Sequence, residues 1–291
     1  MRAAAVLALG LVLTGLGCGS NDAASTAQAE PRPGTLEALW KRPGEDVALV
    51  MGTSDYAPGP ARVSFLVLTD RARPVERPTA RVWLSLALDQ APFLTGTARL
   101  EDVGKGQRIY VTNLEIPGPG TYFLLAEPVG GTRIQGVGNV VVEEQTKSPA
   151  IGEPAFPSKT PTLEDAPVEK LTTQNPPDTE LLRVSVADAL ARKEPFVVVF
   201  ATPKFCESRT CGPVVDIVDA VRQRTPGVRF VHVEIYEENN PALGVNRWVR
   251  EWKLPTEPWV FLVGGDGRIK AKFEGAVSER ELEAAVRRFL T

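Results

Sequence analysis

Cys206 and Cys211 lie in the stretch Phe200-Ala201-Thr202-Pro203-Lys204-Phe205-Cys206-Glu207-Ser208-Arg209-Thr210-Cys211-Gly212-Pro213. A thiol pair this close in sequence can close a disulfide, and either sulfur, as a thiolate, can attack a disulfide on another protein. The flanking residues set its surroundings. Upstream, Phe196-Val197-Val198-Val199-Phe200 is a continuous apolar, β-branched run, the pattern of a strand buried on both faces. Downstream, Val214, Ile217, Val218 and Val221 recur at helical spacing, and Pro213 suits a first helical turn. A sulfur at such a strand-to-helix joint lies near the positive end of a helix dipole, which favours thiolate chemistry. In a continuous helix two residues five apart point in different directions, so a bond between them requires a non-helical stretch.

The third cysteine has a different setting. Arg2 precedes an apolar run over residues 3–16 that is too short to span a membrane as a mature helix, and Leu13-Thr14-Gly15-Leu16-Gly17 leads into Cys18. This pattern reads as a secretory signal over residues 1–17 and resembles the lipobox of bacterial lipoproteins, with Gly15 in the usual leucine position. The resemblance implies a lipid on Cys18 and an extracytoplasmic chain anchored to a bacterial membrane, with residues 18–46 as a tether; a plain signal peptide is the alternative. A disulfide persists in that compartment, and lipidation of Cys18 leaves Cys206 and Cys211 as a closed pair.

The chain has 291 residues, 43% hydrophobic and 24% charged, with a net charge of -3, which allows two domains and gives no electrostatic footprint for nucleic acid. Over residues 47–144, short β-rich runs alternate with Gly/Pro turns, among them Val63-Ser64-Phe65-Leu66-Val67 and Tyr122-Phe123-Leu124-Leu125; this predicts an all-β, immunoglobulin-like sandwich. Residues 145–180 are crowded with prolines and read as a semi-stiff linker, or a strap laid over a neighbouring surface. Residues 181–291 alternate β and α patterns. Runs at 228–235, 259–263 and 268–273 read as strands, with a Gly264-Gly265-Asp266-Gly267 turn between the last two. Ser278 and Glu281 cap a final helix.

Three segments of this last region carry a resemblance to the thioredoxin-like superfamily, in particular its extracytoplasmic TlpA-like branch. Cys211-Gly212-Pro213-Val214 resembles the family's Cys-Gly-Pro-Cys, Glu257-Pro258-Trp259 resembles the segment in which a cis-proline opens a strand, and Glu274-Gly275 precedes the terminal helix as in the family. The resemblance implies an α/β thioredoxin-like domain at 181–291, hence a multidomain chain, acting in thiol–disulfide exchange through Cys206 and Cys211. It implies a cis Pro258 whose loop adjoins the cysteine turn and, with Glu257 and Phe205, binds substrate. The partners are then extracytoplasmic proteins carrying thiols or disulfides, with no cofactor. By the Gly-Pro context Cys211 is the attacking sulfur and Cys206 the resolving one; by distance from the strand the order is reversed, and we take Cys211 first. Val199 stands where the family buries an aspartate, so proton transfer falls to water, Glu207 or the substrate.

The competing reading is a non-enzymatic adaptor whose cysteines form a structural staple, contributing about 2–3 kcal/mol in a chain-entropy account. Copper delivery fits less well. His232 falls in mid-strand as a packed residue, the cysteine spacing departs from copper-handling relatives, and no metal site is expected. Hydrolase, P-loop and dinucleotide signatures are absent from the sequence.

Overall fold

The computed structural model describes residues 30–206 and 210–291. The signal segment and Cys18 lie outside the described residues, as does Glu207. Residues 31–291 form one compact unit.

Its larger part is a single sheet. The strands are β1 (Glu45–Asp46), β2 (Ala48–Met51), β3 (Gly59–Leu68), β4 (Thr79–Ser85), β5 (Leu94–Asp102), β6 (Arg108–Ile116), β7 (Gly120–Pro128) and β8 (Ile134–Val142), after a short helix α1 (Leu36–Trp40) capped by Thr35. They run in the order β1-β8-β7-β4-β5-β6-β3-β2, and β2 to β8 pair antiparallel throughout. The two ends of this seven-strand ribbon curl toward each other. Val47 N donates to Gln135 O at 3.1 Å. A Cβ on Gly136 would lie 2.9 Å from Val47 O, and one on Gly138 would lie 3.0 Å from Leu49 Cδ2, so two glycines of β8 permit the approach of β2. Inward-facing residues Val63, Phe65, Val82, Leu84, Leu124 and Val140 fill the interior.

The C-terminal part holds a second sheet of β9 (Phe196–Phe200), β10 (Arg229–Val233), β11 (Trp259–Val263) and β12 (Ile269–Glu274), in the order β10-β9-β11-β12. β9 and β10 are parallel, while β11 is antiparallel to β9 and β12. The helices are α2 (Val168–Leu171), α3 (Val186–Ala191), α4 (Cys211–Arg224), α5 (Arg247–Glu251) and α6 (Glu279–Phe289). α4 and α6 pack with Val197 and Val199 on one face of the sheet, and Trp252, Trp259 and Phe261 fill the other with Phe196, Val198 and Phe200. The proline-rich segment is laid along β12, where Ala155 N donates to Gly267 O and Ile269 N donates to Glu153 O, each at 2.9 Å.

The expected fold class is corrected by this arrangement. The described residues are mostly β, with one nearly closed antiparallel, barrel-like sheet, a second smaller sheet and few helices. It is not an immunoglobulin-like sandwich joined as a multidomain chain to an α/β thioredoxin-like domain. Alternation of apolar and polar residues is common to sandwiches and barrels, because both bury one face of each strand; closure depends on which strands pair. The two sheets are also fastened across a broad contact. The Glu274 carboxylate accepts from Ser54 N, Ser54 Oγ and Asp55 N at 2.7–2.9 Å, Arg62 meets Glu281 at 2.8 Å, and Glu101 meets Arg280.

Candidate functional site around the Cys206–Cys211 disulfide

β9 delivers the cysteine segment. All five of its residues are buried, which follows from its place inside the sheet between β10 and β11. α4 begins at Cys211, with Thr210 at the N-cap position and Pro213 in the first turn, where its missing N–H costs no intrahelical bond. Val214, Ile217, Val218 and Val221 then pin the helix to the core, as the spacing predicts. Cys206 therefore precedes the helix, and it is bonded to Cys211 with their Cα atoms 5.9 Å apart.

The two sulfurs differ in access. Cys211 is fully buried, whereas Cys206 is half-buried at the edge of the same cluster. Cys206 Sγ accepts a hydrogen bond from Cys211 N at 3.2 Å, so a helix-start amide points at the more accessible sulfur. The amide contact and the greater exposure both belong to Cys206.

The third member arrives through strand pairing. β11 runs antiparallel to β9 with Trp259 opposite Phe200, so the residues just before β11 lie beside those just after β9. The Glu257–Pro258 peptide is cis and Pro258 is buried. The result is that Cys206 Sγ, Cys211 Sγ and a Glu257 carboxylate oxygen all lie within 4.8 Å of one another. The resemblance implied that the loop of Glu257 and Pro258 adjoins the cysteine turn, and the structure brings the two together. The remaining expected substrate contact, Phe205, packs edge-on against Tyr236 with ring centroids 6.4 Å apart and carries Lys204 Nζ 5.2 Å from its centroid.

Tyr236 also lines a cavity of about 110 Å³ at the edge strand β10, together with His232, Glu234 and Trp248. His232 is buried, with Nδ1 3.3 Å from Thr172 Oγ1 and Nε2 3.0 Å from Ala201 O, which makes it a packed residue of β10. The barrel contributes a neighbour that the sequence did not announce. The turn between β5 and β6 places Gly104 against Pro213, and Lys105 pairs with Asp216 of α4 at 3.1 Å.

No protein-family model and no curated protein matches the chain. Solved structures show only distant likeness. A cycloisomaltooligosaccharide glucanotransferase from Paenibacillus sp. is 20% identical over 38% of this chain and 16% of its own, with a TM-score of 0.23. The PKD domain of human SorCS2 is 14% identical over 45% of this chain and 95% of its own, with a TM-score of 0.18. MtrC from Shewanella baltica OS185 is 12% identical over 77% and 51%, with a TM-score of 0.24. The chain thus spans about a sixth of the glucanotransferase. Among the described residues, no helix is long and apolar enough to cross a membrane.

Proposed function

We propose that the protein exchanges thiols and disulfides with extracytoplasmic proteins through Cys206 and Cys211, held at a bacterial membrane by a lipid on Cys18. The observation that carries this reading is the asymmetry of the pair: one sulfur is reachable and faces a backbone amide, while its partner is sealed. An attacking sulfur needs access and a stabilised negative charge, whereas a resolving sulfur needs only proximity. Starting from the dithiol, the Cys206 thiolate attacks a substrate disulfide, forming a mixed disulfide and releasing one substrate thiolate. Cys211 then loses its proton and attacks Cys206 Sγ. The Cys206–Cys211 bond forms, the second substrate thiol leaves, and two electrons have passed to the substrate. The same steps in reverse oxidise a dithiol substrate. The motif-level resemblance around Cys211-Gly212-Pro213 and the cis Pro258 supports this chemistry.

Equilibration of the chain with glutathione buffers of set potential tests it. A reduction potential above about -300 mV, within reach of cellular exchange partners, is the expected result. A lower value with a bond that resists exchange favours the second reading, an adaptor stapled by a structural disulfide, for which the complete burial of Cys211 is the specific support. For the anchor, Cys18→Ser is expected to release the protein from membranes; full retention with an intact mass free of acyl groups refutes the lipid.

A further inference from the structure

We propose that the reduced chain binds one borderline divalent cation, of which Zn²⁺ is the type, through Cys206 Sγ, Cys211 Sγ and a Glu257 carboxylate oxygen. Closing the disulfide expels the ion. This goes beyond the exchange chemistry above and does not rest on it, since a dithiol that exchanges poorly can still hold a metal.

Three observations combine. First, the three donor atoms already converge within 4.8 Å of one another, held by separate pieces of chain: the connection after β9, the start of α4 and the turn before β11. Ligands of a tetrahedral zinc, with Zn–S near 2.3 Å and Zn–O near 2.0–2.2 Å, lie about 3.3–3.8 Å apart. Opening the S–S bond moves the sulfurs from covalent contact toward that separation, with the Glu257 oxygen already within 4.8 Å of both. Second, the reduced state gathers up to three negative groups in a place where Cys211 is fully buried and Cys206 and Glu257 are half-buried. Like charges this close disfavour one another's ionised forms, and a divalent cation relieves that repulsion. Third, the donor set selects the ion. Two thiolates with one carboxylate suit zinc better than copper(I), which prefers sulfur alone, or calcium and magnesium, which require oxygen. Partial exposure of Cys206 and Glu257 leaves the fourth position to water.

The balance is simple. Binding converts two thiols and M²⁺ into a metal dithiolate with release of two protons. Release follows when a small disulfide such as oxidised glutathione takes two electrons from the dithiolate: the Cys206–Cys211 bond forms, the disulfide takes up two protons to become two thiols, and M²⁺ leaves.

The test uses the full chain reduced with a phosphine, reduction being verified by a mass gain of two hydrogens, and titrated with Co²⁺ as the probe. One equivalent producing thiolate-to-cobalt charge transfer and tetrahedral d–d bands, displaced by Zn²⁺, is the expected result. The oxidised chain should show neither band. Glu257→Gln should weaken Zn²⁺ binding, read by competition with a chromophoric chelator, by at least about tenfold, the loss seen even for partners of a ligand. Cys206→Ser should abolish the charge-transfer band; should that variant misfold, the oxidised chain and Glu257→Gln still decide. The proposal is overturned by equal binding to the oxidised chain, by unchanged affinity in Glu257→Gln, or by no stoichiometric binding to the reduced form. A disulfide that the phosphine cannot open in the folded chain overturns it too. Failure here leaves the glutathione measurement untouched, so the two proposals fail separately.

Discussion

Cys206 and Cys211 share one bond but not one environment, and a reagent that reaches only the surface reads the difference. With Cys211 sealed against Val214 and Val218 and Cys206 half-exposed, alkylation of the reduced, folded chain is expected to modify Cys206 first. Peptide mapping after a short pulse of iodoacetamide checks this, and equal labelling of both sulfurs would remove the structural basis for their separate roles. Glu281 makes a second prediction at this scale. Burial alone would raise its carboxyl, but the Arg62 guanidinium and the Ser278 backbone and hydroxyl outweigh burial and hold it below the ordinary value of 4.5. A depressed carboxyl contributes stability that is present above about pH 4.5 and is lost as pH falls through the lower folded-state value. The stability gap between the wild type and Glu281→Gln should therefore be flat near neutrality and shrink in acid. Denaturant titrations from pH 7 to pH 3 measure it, and a gap that widens in acid contradicts the assignment.

At the scale of elements, the turn from β12 into α6 is the tightest joint between the two sheets. Gly275 has φ +69°, and a Cβ there would stand 2.6 Å from Gly52 O, so both the backbone conformation and the space exclude a side chain. Gly275→Ala is expected to destabilise by more than the 1–2 kcal/mol of the left-handed conformation alone, because the barrel backbone must also shift. Thermal unfolding measures the loss, and a change within about 0.5 kcal/mol, as for an ordinary surface position, would mean that the joint is loose. The neighbouring contact gives a milder case. Arg62 on β3 donates to Ala276 O at 2.9 Å as well as to Glu281, so Arg62→Ala removes the side-chain donor from a buried carbonyl and leaves the Glu281 carboxylate only its Ser278 contacts. A loss of about 1–3 kcal/mol follows.

Across the whole molecule, the barrel and the smaller sheet behave as one body. Val103, Ile109, Val111 and Ala276 form a cluster shared by the turn after β5, by β6 and by the turn into α6, and Glu274 of β12 caps the backbone at Ser54 and Asp55. A fragment comprising residues 181–291 would expose this cluster and leave the Glu274 carboxylate without three donors. We expect the full chain to unfold in a single transition and the fragment to unfold at lower temperature, by calorimetry of both. Two separated transitions in the full chain would show that the contact between the sheets couples them weakly. The same contact ties the barrel to the helix that carries Cys211, since Lys105 reaches Asp216.

The cysteine pair and the local elements around it were legible in the chain itself. The Phe196–Phe200 run announced a buried strand, the Val214-Ile217-Val218-Val221 spacing announced α4, and Ser278 with Glu281 announced the capping box of α6 that the structure contains. Such features depend on neighbours within a few residues, where side-chain period and capping chemistry decide the outcome. The closure of the first sheet was not legible, because it turns on β2 meeting β8 some ninety residues away, permitted by the absence of side chains at Gly136 and Gly138. The resemblance implied the Pro258 loop beside the sulfurs, whereas the burial that seals Cys211 was not legible. Glu257 reaches them only because β11 pairs with β9 in one register, and Cys211 is sealed only because α4 packs flat on the sheet. Register and packing are set by contacts between distant segments, whose free energies become definite only when the whole core is assembled.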